Sequence, residues 1–353
     1  MSMAQELLWD LSQLIARLQS RKLLLVCGRS FDLLPIAGEI LALDPVIFRD
    51  FQPNPLYEDV CKGLDLYRST GCDAILAVGG GSAMDTAKCI KLFAGMDDAQ
   101  NYLQLPFADS GILLAAIPTP AGTGSESTRH AVIYYQGEKQ SISHSSLVPQ
   151  YACLLPQVLK GLPLYQKKCT LLDALCQAIE SWWSVNSTQE SIAFSREAIV
   201  LIRDNWQAYL NGNEGAAEAI LLASNLSGRA INITATTAAH AMSYKLTSLY
   251  GIPHGHAVAL CLPLVWDAML TPDAQCTDPR GMAHLQSVLG CFPVDLPWFR
   301  QLLQQLELSR PTAGDRSREI ALLTASVNPI RLKNNPVLLD RDTLQAMYER
   351  IVL

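Results

Sequence analysis

The sequence predicts an α/β N-terminal domain built on a mostly parallel sheet, over residues 1–157, and an all-helical C-terminal domain over residues 158–353. Three observations predict it. The chain has 353 residues, whereas single hydrophobic cores stop growing at roughly 250 to 300. Up to residue 155, short apolar runs alternate with segments of helical period, the pattern of βαβ units. After "PQVLKGLPLYQ" nearly everything is compatible with a period of 3.6, and strand-like alternation disappears.

Taken in order, "MSMAQELLWDLSQLIARLQS" reads as an amphipathic helix and lacks the charged n-region, continuous apolar core and cleavage site of a signal peptide. Strands are expected at "KLLLVC" (22–27), "PVIF" (45–48), "DAILAV" (73–78) and "ILLAAI" (112–117), with helices at 30–42, 56–70 and 82–95. Residues 131–155 hold a hairpin around "QGEK" and a last strand. In the second half, prolines and glycines at 251–255, 263 and 292–297 mark breaks between helices.

Composition excludes several classes of function. The chain is 49% hydrophobic and 17% charged, which fits a compact protein with much buried surface rather than disorder. A net charge of −6 leaves no basic stripe for nucleic acid or an anionic membrane, so the expected partner is a small molecule. The longest apolar run, "AVALCLPLVW", is too short to span a bilayer, and a cytoplasmic location is expected. The ten cysteines contain no CxxC pair and fall mostly in apolar stretches, as reduced, buried thiols do.

Two stretches carry chemistry. "AILAVGGGSAMDTAKCIKLF" is a buried strand, three glycines and an amphipathic helix. Gly79, Gly80 and Gly81 permit close backbone approach, and the helix N-terminus beyond them offers N–H groups and partial positive charge to a phosphate. A tight strand-to-helix turn without a ligand would look the same. Ser82 with Asp85 three residues on reads as an N-cap pair fixing the helix start. In "LLDALCQAIESWW", Asp173 and Gln177 sit one turn apart in a helix that is otherwise buried, able to reach a common point. Asp with His at that spacing would suggest a metal site, but Asp with Gln is ambiguous. Three of the six histidines, His240, His254 and His256, cluster in "ATTAAHAMSYKLTSLYGIPHGHAVAL". A lone histidine there would read as a satisfied core residue, whereas clustering favours function.

"GGGSAMDTAK" resembles the cofactor-binding signature of the iron-containing alcohol dehydrogenase family. "AIPTPAGTGSE" is similar to that family's second nucleotide loop, apart from Pro120 where a threonine is more usual, and "FQPNP" and "RLKNNPVLLDRDTL" are similar to its Asn-Pro turn and C-terminal segment. The resemblance implies a dehydroquinate synthase-like architecture: an N-terminal dinucleotide-binding domain, a helical domain, and a divalent metal and active site in a cleft between them. By residue matching, Gly80, Gly81, Ser82 and Asp85 would lie against the pyrophosphate and nicotinamide ribose, with Thr119 and Thr123 near the adenine half and Asn54 and Lys139 completing the site. Asn54 as a plain turn residue and Lys139 as a solvated charge are the bland alternatives.

Members of the family that prefer NAD commonly have an acidic residue where Gly28 stands. Here Arg29 and Ser30 follow Gly28 and are able to donate to a 2′-phosphate, which favours NADP(H) over NAD(H). Asp173, His240 and His254 match metal ligands of the family, with Fe2+ or Zn2+ as the ion, while Gln177 stands where a histidine ligand is expected and offers only a neutral carbonyl oxygen. Tyr244 replaces a further histidine. The implied reaction is metal-assisted hydride transfer between nicotinamide and a small aldehyde or alcohol, with Tyr244 or His256 among the candidate proton donors. Within the family the chain is most similar to a branch that reduces phosphonoacetaldehyde to 2-hydroxyethylphosphonate, and Arg229 and Lys245 are the candidate phosphonate partners. A homodimer is expected. The rivals are a related lyase, whose lysine-rich pattern is not evident, and a nucleotide-binding protein that has lost catalysis.

Overall fold

The computed structural model of the chain describes residues 5–97 and 101–353. They form two compact units, Met1–Leu162 with Gly212–Asn225, and Pro163–Asn211 with Leu226–Leu353.

The first unit is organised by a six-stranded sheet. Its strands are β1 (Glu6–Leu8), β2 (Leu23–Cys27), β3 (Val46–Phe48), β4 (Ala74–Gly79), β5 (Leu113–Pro118) and β8 (Tyr151–Cys153), in the order β1-β8-β5-β4-β2-β3. All pairings are parallel, with Leu24 opposite Ile75 and Ile75 opposite Leu114. A parallel sheet is covered on both faces, so its strands lose alternation, and every residue of β2 is buried. Helices α1 (Leu11–Leu18), α2 (Ala37–Leu41), α3 (Tyr57–Thr70) and α4 (Gly81–Ala94) connect the strands. From β2 the chain crosses to β3 on one side, and from β4 it crosses to β5 on the other. That reversal opens a crevice at the carboxyl ends of β2 and β4, where open α/β sheets bind ligands. The strands β6 (His130–Tyr135) and β7 (Glu138–Ser143) form the expected hairpin, closed by Gln136 and Gly137 with φ of 52° and 79°, as a two-residue primed turn requires.

Four local expectations are corrected. The opening helix is shorter than its amphipathic pattern: Glu6–Leu8 pairs with β8 as an edge strand, and α1 starts at Leu11 behind Asp10, which accepts from the Ser12 amide at 2.8 Å. The helix expected at 30–42 is split into a 3-10 turn, Arg29–Leu33, and α2, because Pro35 holds Leu34 extended at ψ 141°. Ser82 and Asp85 are not a cap pair, since Gly80 is the N-cap of α4 and no side chain bonds there. Pro263 breaks nothing and sits inside α9 (His254–Leu270), whose flanking Leu262 and Val265 are fully buried, so packing outweighs the local cost of about 3 kcal/mol.

The second unit is helical throughout. Besides α9 it contains α5 (Leu164–Trp183), α6 (Gln189–Leu210), α8 (Ala238–Tyr250), α10 (Met282–Gly290), α11 (Leu296–Leu306), α12 (Arg316–Ser326), α13 (Pro329–Leu332) and α14 (Arg341–Ile351). The helix α7 (Glu214–Thr234) begins with the first unit and ends with the second. Helix α5 is buried along most of its length and packs against α6 and α9. Its end is locked by Trp182 stacked on Phe292 at 4.8 Å and Trp183 edge-on to Trp266 at 5.4 Å. No helix among the described residues is long and apolar enough to cross a membrane.

Candidate functional site

In the first unit a cavity of about 750 Å³ lies at the carboxyl ends of β2 and β4, lined by Gly28, Arg29, Ser30, Gly80, Gly81, Ser82 and Thr119 among others. The glycine turn between β4 and α4 forms part of its lining. Gly79 has φ +152°, and a Cβ there would meet the Ala83 Cβ at 2.8 Å, so the strand-to-helix turn requires glycine. Helix α4 then points its N-terminal amides at the cavity without a side-chain cap. Of the cations on the wall, Arg49 is gripped by Asp32 through bonds of 2.5 and 2.6 Å, and Lys62 lies 3.3 Å from both Asp50 and Asp59. Arg29 is exposed and makes no ion pair among the described residues.

The remaining expected nucleotide residues border this cavity less directly. Asn54 takes the left-handed conformation, φ 58°, and its amide donates to Ser82 Oγ at 3.3 Å. Thr123 packs beside Gly81, and its hydroxyl oxygen accepts from the Ser125 amide. Asp85 accepts from Ser125 Oγ at 3.0 Å and from the Val132 amide at 3.1 Å. Burial pushes its carboxyl up, and Lys88 and Lys139 of β7 pull the other way. Sequence reasoning missed Lys88. Its fully buried ammonium donates to Ser125 Oγ, Thr128 O, Thr128 Oγ1 and His130 O at 2.8–3.1 Å. With Asp85 it braces the segment behind the second glycine-containing loop, and its position three residues after Asp85 on one helix face was the available signal.

In the second unit Asp173 of α5, His240 of α8 and His254 at the start of α9 place one ligand atom each within 4.8 Å of one another. His240 Nε2 lies 3.4 Å, and His254 Nε2 4.0 Å, from Asp173 Oδ1. Hydrogen bonds behind the rings assign their tautomers. The Nδ1 of His240 bonds to Glu180 Oε2, so it carries the proton and Nε2 presents a lone pair. Ser243 gives its hydroxyl proton to the His240 carbonyl at 2.8 Å and accepts from His254 Nδ1 at 3.3 Å, which leaves His254 Nε2 likewise unprotonated. Two imidazole lone pairs thus face a carboxylate, and neither Asp173 Oδ1 nor His240 Nε2 has a hydrogen-bond partner among the described residues. Lone pairs aimed at each other favour a cation between them, and one carboxylate with two imidazoles is a donor set for a divalent transition metal with open positions. Burial opposes charge on His240, but Glu180 and Asp173 outweigh it and raise the imidazole to about 9, so a proton and a divalent cation would compete for Nε2. Asp173 is held below the usual carboxylate range; burial opposes this, and the facing His240, His254 and Gln177 prevail.

Two residues outside the ligand set hold the centre together. Glu180 is fully buried, and its Oε1 accepts from Thr237 Oγ1 (2.7 Å) and from the amides of Thr237, Ala239 and His240 (2.9–3.3 Å). One carboxylate therefore caps α8 and orients the imidazole that α8 carries. A charge in an apolar run, seven residues after Asp173 on the same helix face, was its signal in the sequence. Gly255 is the second. A Cβ there would lie 2.0 Å from the Cys169 carbonyl oxygen and 2.8 Å from Asp173 Cβ, so α9 reaches α5, and His254 reaches Asp173, because this position has no side chain.

Gln177 is buried one turn beyond Asp173, to which it hydrogen-bonds. The Tyr244 ring stacks on His254, centroids 5.5 Å apart and planes 5° apart, and Arg331 Cζ lies 5.8 Å from the Tyr244 centroid. His256 is engaged at both nitrogens, accepting from Tyr165 at 2.8 Å and donating to the Ser309 carbonyl at 3.0 Å. Arg229 lies over Phe194, with Cζ 5.8 Å from the ring centroid. Lys245 is one residue past Tyr244, about 100° round the helix.

The model of the iron-containing alcohol dehydrogenase family matches residues 3–156, and that of the C-terminal part of the Fe-containing alcohol dehydrogenase family matches residues 168–295. The chain is 34% identical over 269 residues to phosphonoacetaldehyde reductase of Streptomyces viridochromogenes, covering 72% of this chain and 68% of that protein. To the probable alcohol dehydrogenase EutG of Escherichia coli it is 36% identical, over 61% of this chain and 56% of that one. Among solved structures, sulfoacetaldehyde reductase from Bifidobacterium kashiwanohense in complex with NAD+ superposes with a TM-score of 0.86 at 26% identity, covering 98% of this chain and 96% of that one. An iron-containing alcohol dehydrogenase from Thermotoga maritima gives 0.83 at 27% identity, covering 99% and 98%.

Proposed function

Because the chain belongs to the iron-containing alcohol dehydrogenase family, we propose that it interconverts a small aldehyde and its alcohol, using a nicotinamide cofactor and a divalent metal. The observation that carries this reading is the meeting of Asp173 Oδ1 with the Nε2 atoms of His240 and His254. When bound, the nicotinamide supplies or accepts the hydride, and the metal polarises the carbonyl oxygen. The chain's own residues do the rest. The backbone of Gly79 to Ser82 and the N-terminus of α4 hold the pyrophosphate. Gly28 leaves out the carboxylate that would repel a 2′-phosphate, and exposed Arg29 with Ser30 donates to it, which favours NADP(H) over NAD(H). Asp173, His240 and His254 hold Fe2+ or Zn2+, with Gln177 as a weak neutral fourth donor beside Asp173. Of the two candidate proton donors, Tyr244 is stacked directly on a metal ligand, whereas His256 is tied between Tyr165 and Ser309.

For substrate we propose phosphonoacetaldehyde, reduced to 2-hydroxyethylphosphonate, which similarity to the Streptomyces enzyme supports, and for assembly and location a cytoplasmic homodimer. The test is NADPH and NADH oxidation with phosphonoacetaldehyde beside acetaldehyde and propanal, before and after chelation and with Fe2+ or Zn2+ restored. The expected result is NADPH-dependent reduction that chelation abolishes and metal restores. Tight NADPH binding with no aldehyde reduced under any metal would instead indicate a nucleotide-binding protein that has lost catalysis.

A further inference from the structure

We propose that Arg331 binds the tetrahedral oxyanion at the far end of the substrate and so selects a short aldehyde that carries a phosphonate or a sulfonate. This assignment rests on the aldehyde-reductase reading above. Arg331 of α13 and the candidate metal ligand His254 both lie against the Tyr244 ring, with Arg331 Cζ 5.8 Å from its centroid and the His254 ring 5.5 Å from it. The guanidinium is thus one aromatic ring away from the point where the aldehyde oxygen would be polarised. A guanidinium carries five N–H donors in a planar fork, a geometry that suits a tetrahedral oxyanion.

The presentation of Arg331 is also fixed from behind. Helix α13 is capped by Asn328, which accepts from the Ile330 amide at 2.9 Å. Three residues after Arg331, Asn334 donates to the Thr236 carbonyl at 3.2 Å and accepts from Asn186 Nδ2 at 3.0 Å. Thr236 also bonds to the Tyr244 phenol through its side chain, so Arg331 and Tyr244 share an anchor. The two cations expected from sequence lack this placement. Arg229 is stacked over Phe194, and Lys245 is turned off the stripe that carries His240 and Tyr244.

The experiment compares wild type with Arg331→Ala and Arg331→Lys on phosphonoacetaldehyde, sulfoacetaldehyde and propanal, taking kcat/KM for each. In Arg331→Ala the ratio of the preferred anionic aldehyde to propanal is expected to fall about 10- to 100-fold, mainly through KM, with partial recovery in Arg331→Lys. A ratio that stays put, or all three aldehydes falling together, overturns the assignment. Calorimetric titration with 2-hydroxyethylphosphonate and 2-hydroxyethanesulfonate separates this from failure of the reductase reading, because it needs no turnover. Binding of either anion to wild type that weakens tenfold or more in Arg331→Ala upholds Arg331 even where no aldehyde is reduced, and the tighter anion identifies the headgroup. No binding to wild type, or equal binding to both proteins, overturns it. Should Arg331→Ala fail to fold, the same comparison is made with Arg331→Lys, where an unchanged ratio and unchanged binding are the overturning result.

Discussion

The cavity at the ends of β2 and β4 is built around the glycine turn between β4 and α4, whereas the Asp173 centre is made by side chains from three helices. In the first, a run of glycines and one helix N-terminus supply shape and donors together, so neighbouring residues in the chain do the work. In the second, ligands separated by 67 and 14 positions in sequence are brought to a point by residues that touch no ligand molecule, chiefly Glu180 and Gly255. A backbone site tolerates changes around it, and a side-chain site depends on its supports.

The sharpest way to break that contrast is Gly255→Ala. The added methyl would meet the Cys169 carbonyl and Asp173, so the expected cost is about 3 kcal/mol or more, with loss of bound metal. A melting temperature and metal content equal to wild type would show that α5 and α9 can part without consequence. Next in size is Glu180→Gln. The amide can cap α8 with its oxygen only by turning its NH2 towards His240 Nδ1, which forces the proton onto Nε2, where the metal should be. Metal affinity, measured by chelator competition, should fall about 10- to 100-fold; unchanged affinity would reduce Glu180 to a helix cap.

A smaller effect is expected in the backbone site. Gly28 has nothing within 4 Å of where a Cβ would lie, so Gly28→Asp should fold normally and add the missing ribose carboxylate. The ratio of kcat/KM for NADPH to that for NADH should drop by about tenfold, and a ratio that does not move removes Gly28 from cofactor choice. The smallest change expected is from Gln177→His, which restores an imidazole one turn from Asp173. Chelator competition should show metal held a few-fold more tightly; weaker binding would mean that the Gln177 bond to Asp173 matters more than a fourth strong ligand.

The two sites also differ in how far they could be read in advance. "AVGGGSAMD" states its own geometry, because a strand, a turn that needs glycine and a helix start are all local. Asp173, His240 and His254 came forward as candidates through resemblance and clustering, but no spacing rule joins α5 to α8 and α9. Arg331 and Lys88 were not foreseen. One sits on a four-residue helix whose neighbours are set by side-chain bonds to Thr236 and Asn186, and the other looks like any lysine on an amphipathic helix until its four acceptors are seen.

By itself the sequence determined the class of each half, since hydrophobic period and glycine content decide between a buried parallel strand and a helix within a few residues. It also determined that a turn needing glycine, with a helix start behind it, follows β4. Only the tertiary structure decided that α1 is preceded by an edge strand, that Pro263 is carried through a helix, and that Glu180 serves both a helix end and an imidazole. The physical reason is the same in each case: pairing, burial and hydrogen bonding between distant segments outweigh local preference, and distance along the chain carries no record of which segments will meet.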